Sequence, residues 1–151
     1  MTRVRNRASE RYQLMMDELN RTDLNDDEAV ARWFDGRISE VFVRQDRRRL
    51  IGVPEASRDE FFGQIKSWAS VADGQPTFTI EEVLNVKDDW LLLCRLSIGF
   101  PLGPLSEQLQ VLVYDPDVER VVRMVSFDSD DLVDAHAEFD RVHSGTEANG
   151  T

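Results

Sequence analysis

From Arg120 to Arg141 the chain reads RVVRMVSFDSDDLVDAHAEFDR. Apolar residues alternate with polar ones up to Phe127, after which Asp128, Asp130 and Asp131 precede a segment of helical spacing. Alternation is the period of a half-buried strand, and carboxylates favour a helix N-terminus because aligned peptide dipoles make it positive. A strand that runs directly into an acidic helix start constrains the fold and names no reaction. The aspartates lack the glycine-punctuated spacing of a calcium loop that ends in glutamate, so they read as helix-starting residues and not as a metal site.

The rest of the chain supplies the partners for this strand and helix. Ala8, Tyr12, Met15, Met16 and Leu19 lie on one stripe of a first helix. Asn25, with Glu28 three residues on, reads as the cap of a second helix that buries Ala29, Val30, Trp33 and Phe34 and ends at Gly36. Val41 to Arg49 is rich in β-branched and aromatic residues without helical spacing and reads as a strand. After Pro54, Ser57 and Glu60 form a capping box for a third helix with Phe61, Phe62, Ile65, Trp68, Ala69 and Ala72 on one face.

Asp73-Gly74-Gln75-Pro76 turns into a strand at Thr77 to Lys87. Trp90 to Phe100 follows, with Trp90, Leu92, Cys94, Leu96, Ile98 and Phe100 in strict alternation. Strands at about 107 to 114 and at Val118 to Phe127, joined by Asp115-Pro116-Asp117, complete a meander, and a helix from about Ser129 to His143 closes it. The expected architecture is α+β, with an antiparallel sheet against helices, over residues 8–143. Residues 1–7 and 144–151 read as a flexible N-terminus and a solvated tail.

The chain's 151 residues suffice for one domain, which at this size buries roughly 70% of its unfolded surface. A net charge of -11 opposes binding to nucleic acid or an anionic membrane. The basic cluster Arg47-Arg48-Arg49 falls in a predicted strand, where neighbouring side chains diverge. Cys94 alone can form neither an internal disulfide nor a thiolate metal site. His136 and His143 share a helix face without making a zinc motif, so no metal or cofactor is expected. A positively charged N-terminus without an apolar region behind it carries no export signal, and the expected location is the cytoplasm.

Asp46-Arg47-Arg48 on the first strand, and Phe127-Asp128-Ser129-Asp130-Asp131 leading into Ala135-x-Ala137-Glu138-Phe139-Asp140, resemble the SnoaL-like branch of the nuclear-transport-factor-2-like (NTF2-like) superfamily. Small domains of this kind occur at the C-terminal end of bacterial signalling proteins. The resemblance implies a cone-shaped curved sheet wrapped around three helices, with a pocket inside. It also implies a homodimer through the sheet's outer face.

In ketosteroid isomerases of that superfamily a carboxylate near the end of the first strand is the general base, and Asp46 falls near that position. Arg47 follows it where those enzymes have proline, and Met15 stands where they carry the carbonyl-polarising phenol, with Tyr12 nearly a helical turn away. The simpler reading of Asp46 is an ion pair with Arg48 or Arg123 at the sheet rim.

Glu82 interrupts an apolar row and is either a pocket carboxylate or displaced by a β-bulge at Glu81-Glu82. Met15, Trp33, Cys94 and Tyr114 are the other candidate ligand-binding residues, although Cys94 and the tryptophans read more simply as core. The expected function is a noncatalytic small-molecule-binding or dimerisation module. The alternative is an isomerase or cyclase that removes a proton next to a carbonyl with Asp46 as base.

Overall fold

Asn6 starts the first helix through a reciprocal cap: the Ser9 N–H donates to its side chain at 2.8 Å, and the Asn6 N–H donates to the Ser9 hydroxyl at 2.8 Å. The protein is seen in a computed structural model that describes residues 4–49, 55–71, 75–101, 103 and 105–150, the side chains of 68–71 and 146–150 excepted. Pro54, the side chains of Trp68 and Ala69, and the whole of Ala72, Asp73 and Gly74 lie outside the described residues.

Helix α1 (Arg7–Asn20) buries the expected stripe of Ala8, Tyr12, Met15, Met16 and Leu19. Helix α2 (Asp27–Arg37) is capped by Asp26 and not Asn25, because the Asp26 carboxylate accepts from the N–H groups of Glu28 and Ala29. Strand β1 (Ile38–Asp46) follows at once. A short strand β2 (Glu55–Ser57) leads into α3 (Arg58–Val71), where the Glu60 N–H donates to Ser57 Oγ at 3.3 Å and the Ser57 N–H to Glu60 Oε1 at 3.1 Å. The meander comprises β3 (Thr77–Lys87), β4 (Leu91–Gly99), β5 (Ser106–Asp115) and β6 (Arg120–Asp128). Helix α4 (Leu132–Gly150) runs on into the stretch read as a solvated tail. Those residues carry no apolar period, but extending a helix already nucleated on packed turns requires none.

The six strands form one open sheet in the order β2-β1-β6-β5-β4-β3. The meander is antiparallel as expected, but β1 lies parallel to β6, so the sheet is mixed and not antiparallel throughout. Side-chain alternation reads the same in either strand direction, which is why the sequence pattern does not disclose a parallel pairing. Irregular register at Ile80/Glu82, Val83/Asn85, Val113/Tyr114 and Ile38/Val43 marks bulges, the devices that bend a sheet.

The chain builds two apolar layers on this sheet. The inner layer joins α1, α2 and α3 to one face through Leu19, Phe34, Ile65, Phe42, Leu92 and Cys94. The outer layer joins α4 to the opposite face through Leu91, Leu93, Leu109, Val111, Val125, Phe127, Ala135 and Phe139. The face expected to meet a second copy thus carries the chain's own last helix.

Candidate functional site

The inner layer encloses a cavity of about 30 Å³ between the helices and the sheet. One ordered water needs roughly 10–15 Å³ on this measure, so the cavity as it stands has water-sized room. Its walls are mostly apolar, with Met15, Met16 and Leu19 from α1, Trp33 from α2, Phe61 and Ile65 from α3, and Phe78, Leu96 and Ile98 from the sheet. Polar walls come from Tyr12, Arg44, Gln108 and Gln110.

Arg44 reaches this place because alternation along β1 turns Phe42, Arg44 and Asp46 to the same face, and all three are buried. Its Nη1 donates to Gln64 Oε1 at 3.1 Å and its Nη2 to Ser126 Oγ at 3.3 Å. The guanidinium lies 5.5 Å from the centre of the Phe61 ring, within cation–π range. Burial draws the Arg44 pKa down, partly offset by the Asp46 charge. The Nε–H is buried and has no acceptor among the described residues.

Asp46 is not among the cavity walls; it approaches them through Arg44, whose Nη2 lies 3.3 Å from Oδ2. Arg48 grips the carboxylate from its other side through its side chain and its backbone N–H. Burial alone would push the Asp46 carboxyl up, but the Arg48 bonds and the Arg44 and Arg48 charges outweigh it and hold the pKa below its ordinary value. The pairing expected with Arg48 is therefore present, and Arg44 is the partner that sequence reading missed.

Tyr12 donates its phenol proton to Gln110 Oε1, and Gln110 Nε2 donates to Gln108 Oε1 at 3.3 Å. Desolvation pushes the Tyr12 phenol well above its usual range, so it stays a neutral donor. Beside this cavity lies a cleft of about 250 Å³ lined by Arg11, Leu14, Met15, Glu18, Gly36, Arg37, Tyr114 and Glu119. Met15 lines both spaces. The Tyr114 hydroxyl sits 3.1 Å from the Met15 sulfur, and the Trp33 indole N–H donates to the Met15 carbonyl at 3.2 Å.

The structure thus gathers Met15, Trp33 and Tyr114 around one pair of adjoining spaces. Cys94 is fully buried in the same inner layer without lining either space, and its thiol pKa is pushed up by desolvation. Glu82 lies outside both. Pairing passes from Ile80 opposite Leu96 to Glu82 opposite Arg95, so the bulge at Glu81 is real and both glutamates are exposed.

The charged motifs elsewhere are engaged with one another. Arg49 pairs with Asp128 at 3.3 Å, Asp130 at 2.9 Å and Asp131 at 3.2 Å, placing a cation against the acidic cluster. Arg47 pairs with Glu138 at 2.9 Å, so each member of the arginine triplet meets a carboxylate of this chain. Glu138 is itself buried, and Arg123 and Arg141 also contact it. Burial works to raise its pKa, yet the Arg141 bond and the surrounding arginine charges hold it below the ordinary carboxylate range.

No protein-family model and no curated protein matches the sequence. Solved structures do. BvnE pinacolase from Penicillium brevicompactum superposes with a TM-score of 0.61 at 12% identity, over 90% of this chain and 92% of that one. An NTF2-like protein of unknown function from an Exiguobacterium species gives 0.56 at 11% identity, over 82% and 98%. A SnoaL-like protein from Shewanella denitrificans gives 0.54 at 13%, over 89% and 99%. Likeness at such identities speaks for architecture and leaves function to the site. The curved sheet, the three helices within it and these neighbours together identify the chain as an α+β domain with the NTF2-like fold.

Proposed function

We propose that this domain binds a small, apolar, carbonyl-bearing molecule inside its cone and does not transform it. The observation that carries this reading is the buried Arg44, a guanidinium in the wall of a mostly apolar cavity. An oxygen acceptor on a ligand would bond that guanidinium, and hydrogen bonds to a charged group contribute roughly 1.5–3 kcal/mol.

The alternative, an isomerase or cyclase with Asp46 as base, draws support from Tyr12, whose phenol lines the cavity where a carbonyl could be polarised. BvnE, a structural neighbour, is a pinacolase. Against it, a general base needs a pKa near working pH and direct reach to the proton. Asp46 is held low by two guanidiniums and is not among the cavity walls.

A thermal-shift screen against small apolar carbonyl compounds tests the binding reading, since a ligand at a hundred times its dissociation constant adds about 2.7 kcal/mol. We expect a saturable rise in Tm with at least one compound. Incubating that compound with the protein in deuterium oxide tests the alternative, and proton exchange next to the carbonyl above an Asp46→Asn background would favour it.

A further inference from the structure

We propose that the ligand is the carboxylate of a small apolar acid, that its head pairs with Arg44, and that it arrives through the outer cleft past Met15. This rests on the binding reading given above. Three observations carry it.

The first is charge. Among the described residues, Arg44 is the one ionisable group of the cavity walls apart from the Tyr12 phenol, which stays neutral. Its carboxylate partner is shared, because Asp46 takes two bonds from the Arg48 side chain at 2.6 and 2.8 Å and meets Arg44 only at 3.3 Å. Arg44 and Asp46 are buried and Arg48 is half-buried, and together the three carry an excess of one positive charge. A ketone would accept a hydrogen bond from the guanidinium but leave that excess, whereas a carboxylate accepts the bond and balances the charge.

The second is the room available. An inner space of about 30 Å³ holds a head group and little more, while the adjoining cleft of about 250 Å³ can take an alkyl or aryl tail. The third is the partition between them. Met15 lines both spaces, and its unbranched thioether can change rotamer without moving the backbone. At the cleft, Arg11 is paired with Glu119 and Arg37 with Glu18, so the acidic groups there are neutralised against an entering anion.

Calorimetric titration of the full chain with straight-chain carboxylates of four to ten carbons, beside the matched methyl ketones and primary alcohols, tests the inference. We expect each carboxylate that binds to do so at least tenfold more tightly than its ketone. Arg44→Gln should abolish that preference, and the wild-type series decides the matter even if this variant does not fold. Equal or tighter binding of ketones overturns the carboxylate assignment and leaves the binding reading standing. No binding of any series to wild type or to Met15→Ala overturns both. For the route, Met15→Ala should speed association at least fivefold in stopped-flow tryptophan fluorescence, and an unchanged rate with intact affinity overturns the role of Met15 as partition.

Discussion

Arg48 holds Asp46 with two nitrogens of one guanidinium, Nε on Oδ1 at 2.8 Å and Nη2 on Oδ2 at 2.6 Å. This fork fixes the end of β1, and Arg44 leans on the same carboxylate from the cavity side. Asp46→Asn would leave two guanidiniums facing each other with no anion between them. We expect a loss of about 3 kcal/mol, as for other buried pairs broken on one side, read as a lower urea midpoint at unchanged m-value. A loss below about 1 kcal/mol would mean the pair behaves as a solvated surface bridge.

Acidification should act through the same groups. Asp46 and Glu138 both have folded pKa values below the ordinary carboxylate range, so each contributes stability that is fully present above the unfolded value of about 4. That contribution is lost as pH falls through the folded values. The urea midpoint should therefore drop from about pH 5 downward, and an Asp46→Asn, Glu138→Gln double variant should show a shallower slope over that interval. Parallel slopes would assign acid sensitivity to other carboxylates.

Glu138 ties α4 to the sheet through Arg47 and Arg123. In Glu138→Gln the amides of α4 should exchange with deuterium at least tenfold faster while those of α1 stay unchanged, the pattern of a local opening. Equal acceleration in both helices would indicate a global loss instead.

The outer sheet face bears on assembly. Leu91, Leu93, Leu109 and Val111 are fully buried beneath α4 within one chain, so a second copy would find little apolar surface there. We expect a solution mass near 17.4 kDa at micromolar concentration. A stable dimer by light scattering would require a contact other than the apolar rows beneath α4, or displacement of that helix.

Cys94 offers a check on the inner layer. A desolvated thiol with a raised pKa is a poor nucleophile, so the native protein at pH 8 should resist a thiol-reactive dye and react fully only after unfolding. Rapid labelling of folded protein would mean that the inner layer opens on its own.

Much of this was legible in the chain because it depends on local spacing. The α1 stripe, the Ser57–Glu60 box, the alternation of β4 and the bulge near Glu81 each follow from a few neighbouring residues and all appear in the fold. Arg44 was missed because it stands in an arginine-rich segment; its separation of two from both Phe42 and Asp46 was the available signal. Gln108 and Gln110 face the cavity because they pair with Leu96 and Cys94, and that register is not contained in β5 itself. The covering of the outer face by α4 likewise depends on where the helix lands after its strand, a property of the whole sheet.

In β4 the run Leu91-Leu92-Leu93-Cys94 is buried on both sides. A strand with one wet side is held in register because a slip of one residue drives its apolar row into water. Here a slip would exchange one dry row for another, and hydrophobicity alone does not forbid it. The discriminating groups lie farther along, where Arg95 stands opposite Glu82 and the Ser97 hydroxyl donates to Glu81 at 2.6 Å. The two glutamates at the bulge serve this protein as the alignment marks between its edge strand β3 and the doubly buried β4.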